Sequence, residues 1–165
     1  MALPVSSIPY FFSYIWFSDY NESSTRNEPC SACGSNRKKC MVFRVARHTN
    51  KLEVLITFYC DVLNFEILGR FEDHNNYDGV FLGRKNLNWH VEFTQSSVEA
   101  QHQFDEDDIL VFYPLTRLDY DHIIKNINHK NISIKKPKNP YWHTNGVMIQ
   151  DPDGCNVIIS NLKIQ

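Results

Sequence analysis

The spacing of apolar residues changes several times along the chain, and each change marks an element. Residues 43–48 alternate as a half-buried strand does, with Phe43, Val45 and Arg47 on one side and Arg44, Ala46 and His48 on the other. Across 51–63 the period lengthens: Leu52, Leu55, Ile56, Tyr59, Val62 and Leu63 recur at three- and four-residue steps and predict one apolar helical face. Thr49 or Asn50 stands where an N-cap belongs, and Asn64 where a helix stops. Strands are expected at 65–71, 78–82 and 88–94, with a polar loop at 72–76. After a polar, acidic linker at 96–107 the order repeats. A strand at 109–113 leads to a helix capped by Thr116 and running to His129, with Tyr120, Ile123, Ile124 and Ile127 on its apolar face. A short strand at 132–134, a loop at 135–145, and apolar strands around Val147 and Val157 complete the chain. The last two are joined by Asp151-Pro152-Asp153-Gly154, whose residues preset φ, bond their own backbone and accept positive φ.

The two βαβββ runs also keep register. Thr49 and Thr116 are 67 positions apart, and so are Gly79-Val80-Phe81-Leu82 and Gly146-Val147-Met148-Ile149. A constant offset points to duplication. The expected fold is therefore α+β, two βαβββ modules at about 42–95 and 108–162 forming a curved, barrel-like mixed sheet, a helix on the outer side of each half and a ligand cleft between them.

Composition narrows the function. A net charge of −2 offers no basic excess to hold nucleic acid or an anionic membrane. The odd number of cysteines, five, fits reduced thiols better than a disulfide framework and suggests a cytoplasmic protein. Residues 1–40 read as a flexible arm ahead of a folded body at 41–165. The apolar start lacks the charged n-region of a secretory signal and is too short to span a bilayer. Cys30, Cys33 and Cys40 offer three thiolates to a zinc ion without a fourth ligand at the usual spacing, so an unstructured extension is the simpler reading. No phosphate loop, dinucleotide fingerprint or Ser-His-Asp spacing appears.

The paired module order, LEVLITFYCDVLNFEILG at 52–69, GVFLG at 79–83, HVEF at 90–93 and NGVMIQDPDGCNVII at 145–159 resemble the vicinal oxygen chelate superfamily. This is the group of glyoxalase I, bleomycin resistance proteins and extradiol dioxygenases. The resemblance implies a small-molecule ligand, and in the metal-dependent members a divalent ion (Zn, Ni, Mn or Fe) serving a lyase, isomerase or dioxygenase. Pairing into a homodimer is also implied. In such members each half supplies a His or carboxylate from its first and last strands. The matching residues of the first half are His48 and Glu92; the second half has Leu115 and Ile158 or Ile159, which cannot bind a metal.

Two readings stay open. His90 shares a strand face with Glu92, so His48, His90 and Glu92 form a candidate two-His, one-carboxylate metal set, with Glu92 as ligand or proton shuttle. Alternatively Glu92 pairs with an arginine such as Arg44 or Arg47, and the protein sequesters a planar or aromatic compound without metal. His143 is a candidate general base, and Tyr77, Asp78, Tyr113, Tyr141 and Trp142 are candidate cleft residues. Cys60 and Cys155 are expected to be buried structural thiols.

Overall fold

The computed structural model describes residues 42–85 and 87–164. The expected N-terminal arm and its three cysteines lie outside the described residues. The first module comprises β1 (Phe43–His48), α1 (Leu52–Leu63), β2 (Glu66–His74), β3 (Tyr77–Gly83) and β4 (Trp89–Ser96). The second comprises β5 (Ile109–Phe112), α2 (Arg117–His129), a single helical turn α3 (Trp142–Asn145), β6 (Val147–Gln150) and β7 (Asn156–Ile159).

Each module builds its own mixed sheet. The first is ordered β1-β4-β3-β2 and the second β5-β7-β6, and in each the first strand runs parallel to the last. The α+β class and the module order are those read from the sequence; the sheets remain two and do not close into a barrel. The strand expected at 132–134 is reduced to one bridge, in which the Lys135 N–H donates to the Met148 carbonyl at 2.8 Å. Pro137, two residues on, has no N–H with which to extend that ladder.

The polar loop expected at 72–76 is a tight hairpin instead. His74 pairs with Tyr77, and Asn75 and Asn76 between them have φ of 54° and 65°. Two positive φ values in a two-residue loop are the signature of a type I′ turn, whose twist matches that of the strands. Gly79 and Gly146, equivalent by the 67-residue offset, are both places of close approach. A Cβ on Gly79 would lie 2.2 Å from the Phe71 ring, and one on Gly146 would lie 2.5 Å from Ile158 Cγ2.

The helix ends differ in how they are satisfied. At α2, Thr116 Oγ1 accepts the Asp119 N–H at 3.1 Å and donates to its carboxylate at 2.7 Å. The capping expected of Thr49 or Asn50 is displaced: the N-cap of α1 is Lys51, and its side chain makes no cap bond. Thr49 Oγ1 accepts the Lys51 N–H and Gln95 Oε1, from β4, accepts that of Leu52. Asn64 ends α1 in the left-handed region, φ 57°, with its N–H on the Tyr59 carbonyl.

The apolar face of α1 is buried at every residue named from its periodicity. It packs with Ile123 and Ile127 of α2, Val80, Leu82, Val91 and Phe93 of the first sheet, and Ile149, Val157 and Ile159 of the second. Both modules therefore share one core. Across the helices, Asn126 Nδ2 donates to the Val62 carbonyl and to Asn64 Oδ1, and Lys130 pairs with Asp61 at 2.7 Å. No helix among the described residues is long and apolar enough to cross a membrane.

Candidate functional site

Strand alternation sends Val91 and Phe93 into the core and therefore turns His90 and Glu92 to the opposite face of the first sheet. The register sets Arg44 beside His90, Ala46 beside Glu92, and His48 beside Thr94; from the other side Phe81 faces Glu92. With Ala46 too short to cover Glu92, Arg44 reaches along β1 and places Nη1 at 2.7 Å from Glu92 Oε2. The Glu92 side chain is 11% exposed and that of Arg44 41%. The Arg44 guanidinium also lies 5.8 Å from the centre of the Phe81 ring, and His90 meets the same ring edge-on at 5.3 Å. Burial, and then the Arg44 charge, hold the His90 imidazole below its ordinary range against the opposing pull of Glu92. At neutral pH the face thus carries an arginine, a carboxylate bound to it and a neutral imidazole.

Farther along β1, the His48 Nε2 is 3.1 Å from Ser96 Oγ and its ring is 5.8 Å from that of Tyr77. Asp78, although next to Tyr77, accepts the Asp73 N–H at 2.8 Å and ties the end of the hairpin. Tyr113 follows the end of β5 and is exposed. Tyr141 caps the single turn α3 ahead of β6 in the second module, and Trp142 and His143 lie within it; the Tyr141 and Trp142 rings meet edge-on at 4.9 Å, and His143 Nε2 bonds the Pro137 carbonyl at 2.9 Å. The sheet face thus gathers His48, Tyr77, His90 and Glu92, while His143 and its aromatic neighbours stand on the other module.

These donors do not fit a divalent ion. Glu92 Oε2 is occupied by a guanidinium and His48 Nε2 by a hydroxyl. Among the described residues no three His, Cys, Asp or Glu side chains are gathered closely enough to hold a metal. In the second module Leu115 is exposed, and Ile158 and Ile159 are completely buried apolar side chains.

A second polar constellation, which the sequence reading treated only as a turn, joins the modules. The fully buried Asp151 carboxylate accepts the N–H groups of Asp153 and Cys155 on Oδ1, each at 3.0 Å, and on Oδ2 takes Arg47 Nη1 at 2.6 Å and the Tyr59 hydroxyl at 3.0 Å. Arg47 Nη2 reaches Asp153 at 3.3 Å, and its guanidinium lies against the rings of Phe93 and Phe104, 5.3 and 5.1 Å from their centres. Thr49 Oγ1 donates to Asp153, and Lys51 Nζ to the Pro152 carbonyl. Burial, then the Asp151 charge, hold the Tyr59 phenol well above its ordinary range. Both oxygens of Asp151 are bound within the fold, so this cluster holds structure. The available signal was Arg47 itself, a charge on the core-facing side of β1 that required a buried partner.

A family model described as the YycE-like N-terminal domain matches residues 43–94, and one described as the YycE-like C-terminal domain matches 107–161. The chain is 36% identical over 124 residues to YycE of Bacillus subtilis, a protein of unknown function, with 73% of this chain and 87% of that protein aligned. It belongs to the YycE-like family of the vicinal oxygen chelate superfamily. The crystal structure of that YycE superimposes with a TM-score of 0.64, covering 72% of this chain and 87% of the other. More distant structures share the fold. Trypanothione-dependent glyoxalase I of Leishmania major is 18% identical, covers 76% of this chain and 88% of its own, and has a TM-score of 0.59. A mutant fosfomycin resistance protein FosX of Listeria monocytogenes, complexed with Mn(II), is 10% identical, covers 74% and 92%, and has a TM-score of 0.53. What these distant structures share with the chain is the fold.

Proposed function

We propose that this YycE-like protein binds a planar or aromatic small molecule without a metal, on the face of the first sheet that carries Arg44, His48, Tyr77, Phe81, His90 and Glu92. The Arg44–Glu92 ion pair carries this reading. Glu92 matches the metal-ligand position of the superfamily, and here a guanidinium supplies the positive charge that a metal would otherwise bring. Arg44, still 41% exposed, retains N–H donors for a ligand oxygen. The Phe81 ring, with the Arg44 guanidinium 5.8 Å from its centre and His90 edge-on at 5.3 Å, makes this part of the face aromatic. A homodimer belongs to the same proposal, and sedimentation at twice the chain mass would support it.

Thermal melting tests the proposal. With Zn, Ni, Mn or Fe(II), before and after a chelator, the midpoint should not move; with a panel of planar aromatic compounds one class should raise it, and Arg44→Gln should abolish that rise. A metal-induced rise that Glu92→Gln removes would overturn the metal-free reading in favour of a metal-dependent enzyme.

A further inference from the structure

We infer that the second module has a ligand site of its own, selective for a small aromatic anion, in the cavity between the loop after α2 and the start of β6. The cavity measures about 430 Å³, and Lys135, Lys136, Pro137, Trp142, His143 and Met148 contribute to its lining. That volume falls in the range of roughly 300 to 1,000 Å³ usual for small-molecule sites.

Three features set its chemistry. The walls are fixed: the Lys135 N–H on the Met148 carbonyl pins the loop across β6, and His143 is held at 2.9 Å to the carbonyl of the buried Pro137. A carbonyl can only accept, so Nε2 carries the hydrogen and Nδ1 is the ring nitrogen left for a ligand. One wall is aromatic: Trp142 is half-buried and braced edge-on against Tyr141, which gives a planar ring a surface to stack on. The charge has one sign. No carboxylate contributes to the lining, and neither Lys135 nor Lys136 has an ion-pair partner among the described residues, whereas nearby Lys138 is tied to Glu106 and Asp107. Two lysines without an ion-pair partner among the described residues, in a lining that also holds a tryptophan and a methionine, favour a ligand with an anionic end and an aromatic body, such as an aryl carboxylate or aryl phosphate. The site shares no residue with the face that carries Arg44, so it stands whether or not that face binds anything.

Calorimetric titration of the full chain with phenyl phosphate and benzoate, and with inorganic phosphate and benzyl alcohol as single-feature controls, tests the assignment. At least one aryl anion should bind about tenfold or more tighter than both controls. Lys135→Gln with Lys136→Gln should weaken it about tenfold, and Trp142→Leu several-fold. Lys125→Gln, a charge change elsewhere on the surface, should leave the affinity alone, and circular dichroism should show every variant folded. Absence of binding by both aryl anions would overturn the site. So would binding that survives the double lysine change in a folded protein, or inorganic phosphate binding as tightly as phenyl phosphate.

Discussion

Arg47 and Asp151, 104 residues apart in the chain, meet at 2.6 Å in the interior, each held by further partners. The contact fastens the first strand of one module to the closing turn of the other. Arg47→Ala should therefore strand a buried carboxylate, and a loss of about 3 to 5 kcal/mol is expected. Urea unfolding would measure it. A double-mutant cycle with Asp151→Asn should show strong coupling, and additive losses would mean that the pair acts only through packing.

Alkali should loosen the same region in a set order. Burial pushes the Cys155 thiol from 9.0 to about 11, and Tyr59 is held well above 10.0 by burial and by Asp151. Both pKa values are raised in the fold, so their stabilisation is whole below the unfolded values. It declines as the pH climbs past 9 for the thiol and past 10 for the phenol. The urea midpoint should accordingly fall between pH 8 and pH 11, and less steeply in Cys155→Ala. A mutant slope equal to that of the parent would remove Cys155 from the account.

The imidazole of His90 should titrate below 6.5, since burial and Arg44 both lower it. For a depressed histidine the associated stability is present above 6.5 and is lost as the pH falls from there through the folded value. Proton NMR of the ring would follow the titration directly. Arg44→Gln should move it upward by removing a like charge, and an unchanged value would show that Arg44 and His90 do not sense one another.

At the hairpin tip, Asn76→Gly should raise stability by up to about 1 kcal/mol, because glycine takes the left-handed conformation without a Cβ penalty. Gly79→Ala should do the opposite and cost about 1 to 3 kcal/mol as the Phe71 ring is driven off the strand. Thermal melting of the two variants should bracket the parent; a neutral Gly79→Ala would mean that Phe71 has somewhere else to go.

The two long helices were legible because each carries an apolar stripe at a helical period: the six apolar residues named in α1 are all buried, and in α2 Ile123 and Ile127 are buried with Tyr120 and Ile124 half-buried beside them. The repeat was legible at Gly79 and Gly146 because both sites lack room for a Cβ. The Asn75-Asn76 hairpin was read as a longer loop since asparagine announces positive φ less clearly than glycine does. The short helix α3 fell inside an aromatic loop with too few residues to show a period. In the site, alternation gave the face of Glu92, but choosing Arg44 over Arg47 required the parallel register of β1 on β4 and the direction of each side chain. Arg47 was spoken for by Asp151, a pairing between modules that no local pattern encodes.

The closing turn also sets the order in which this molecule can be completed. Arg47 is synthesised 104 residues before the carboxylate that neutralises it, so a nascent first module has a cation on its core-facing side with no counter-charge. Its final docking must wait for Asp151 to emerge, which makes the contact one of high sequence separation and links the speed of folding to the last strands made. Separately expressed halves should consequently be poor folders alone and regain structure when mixed.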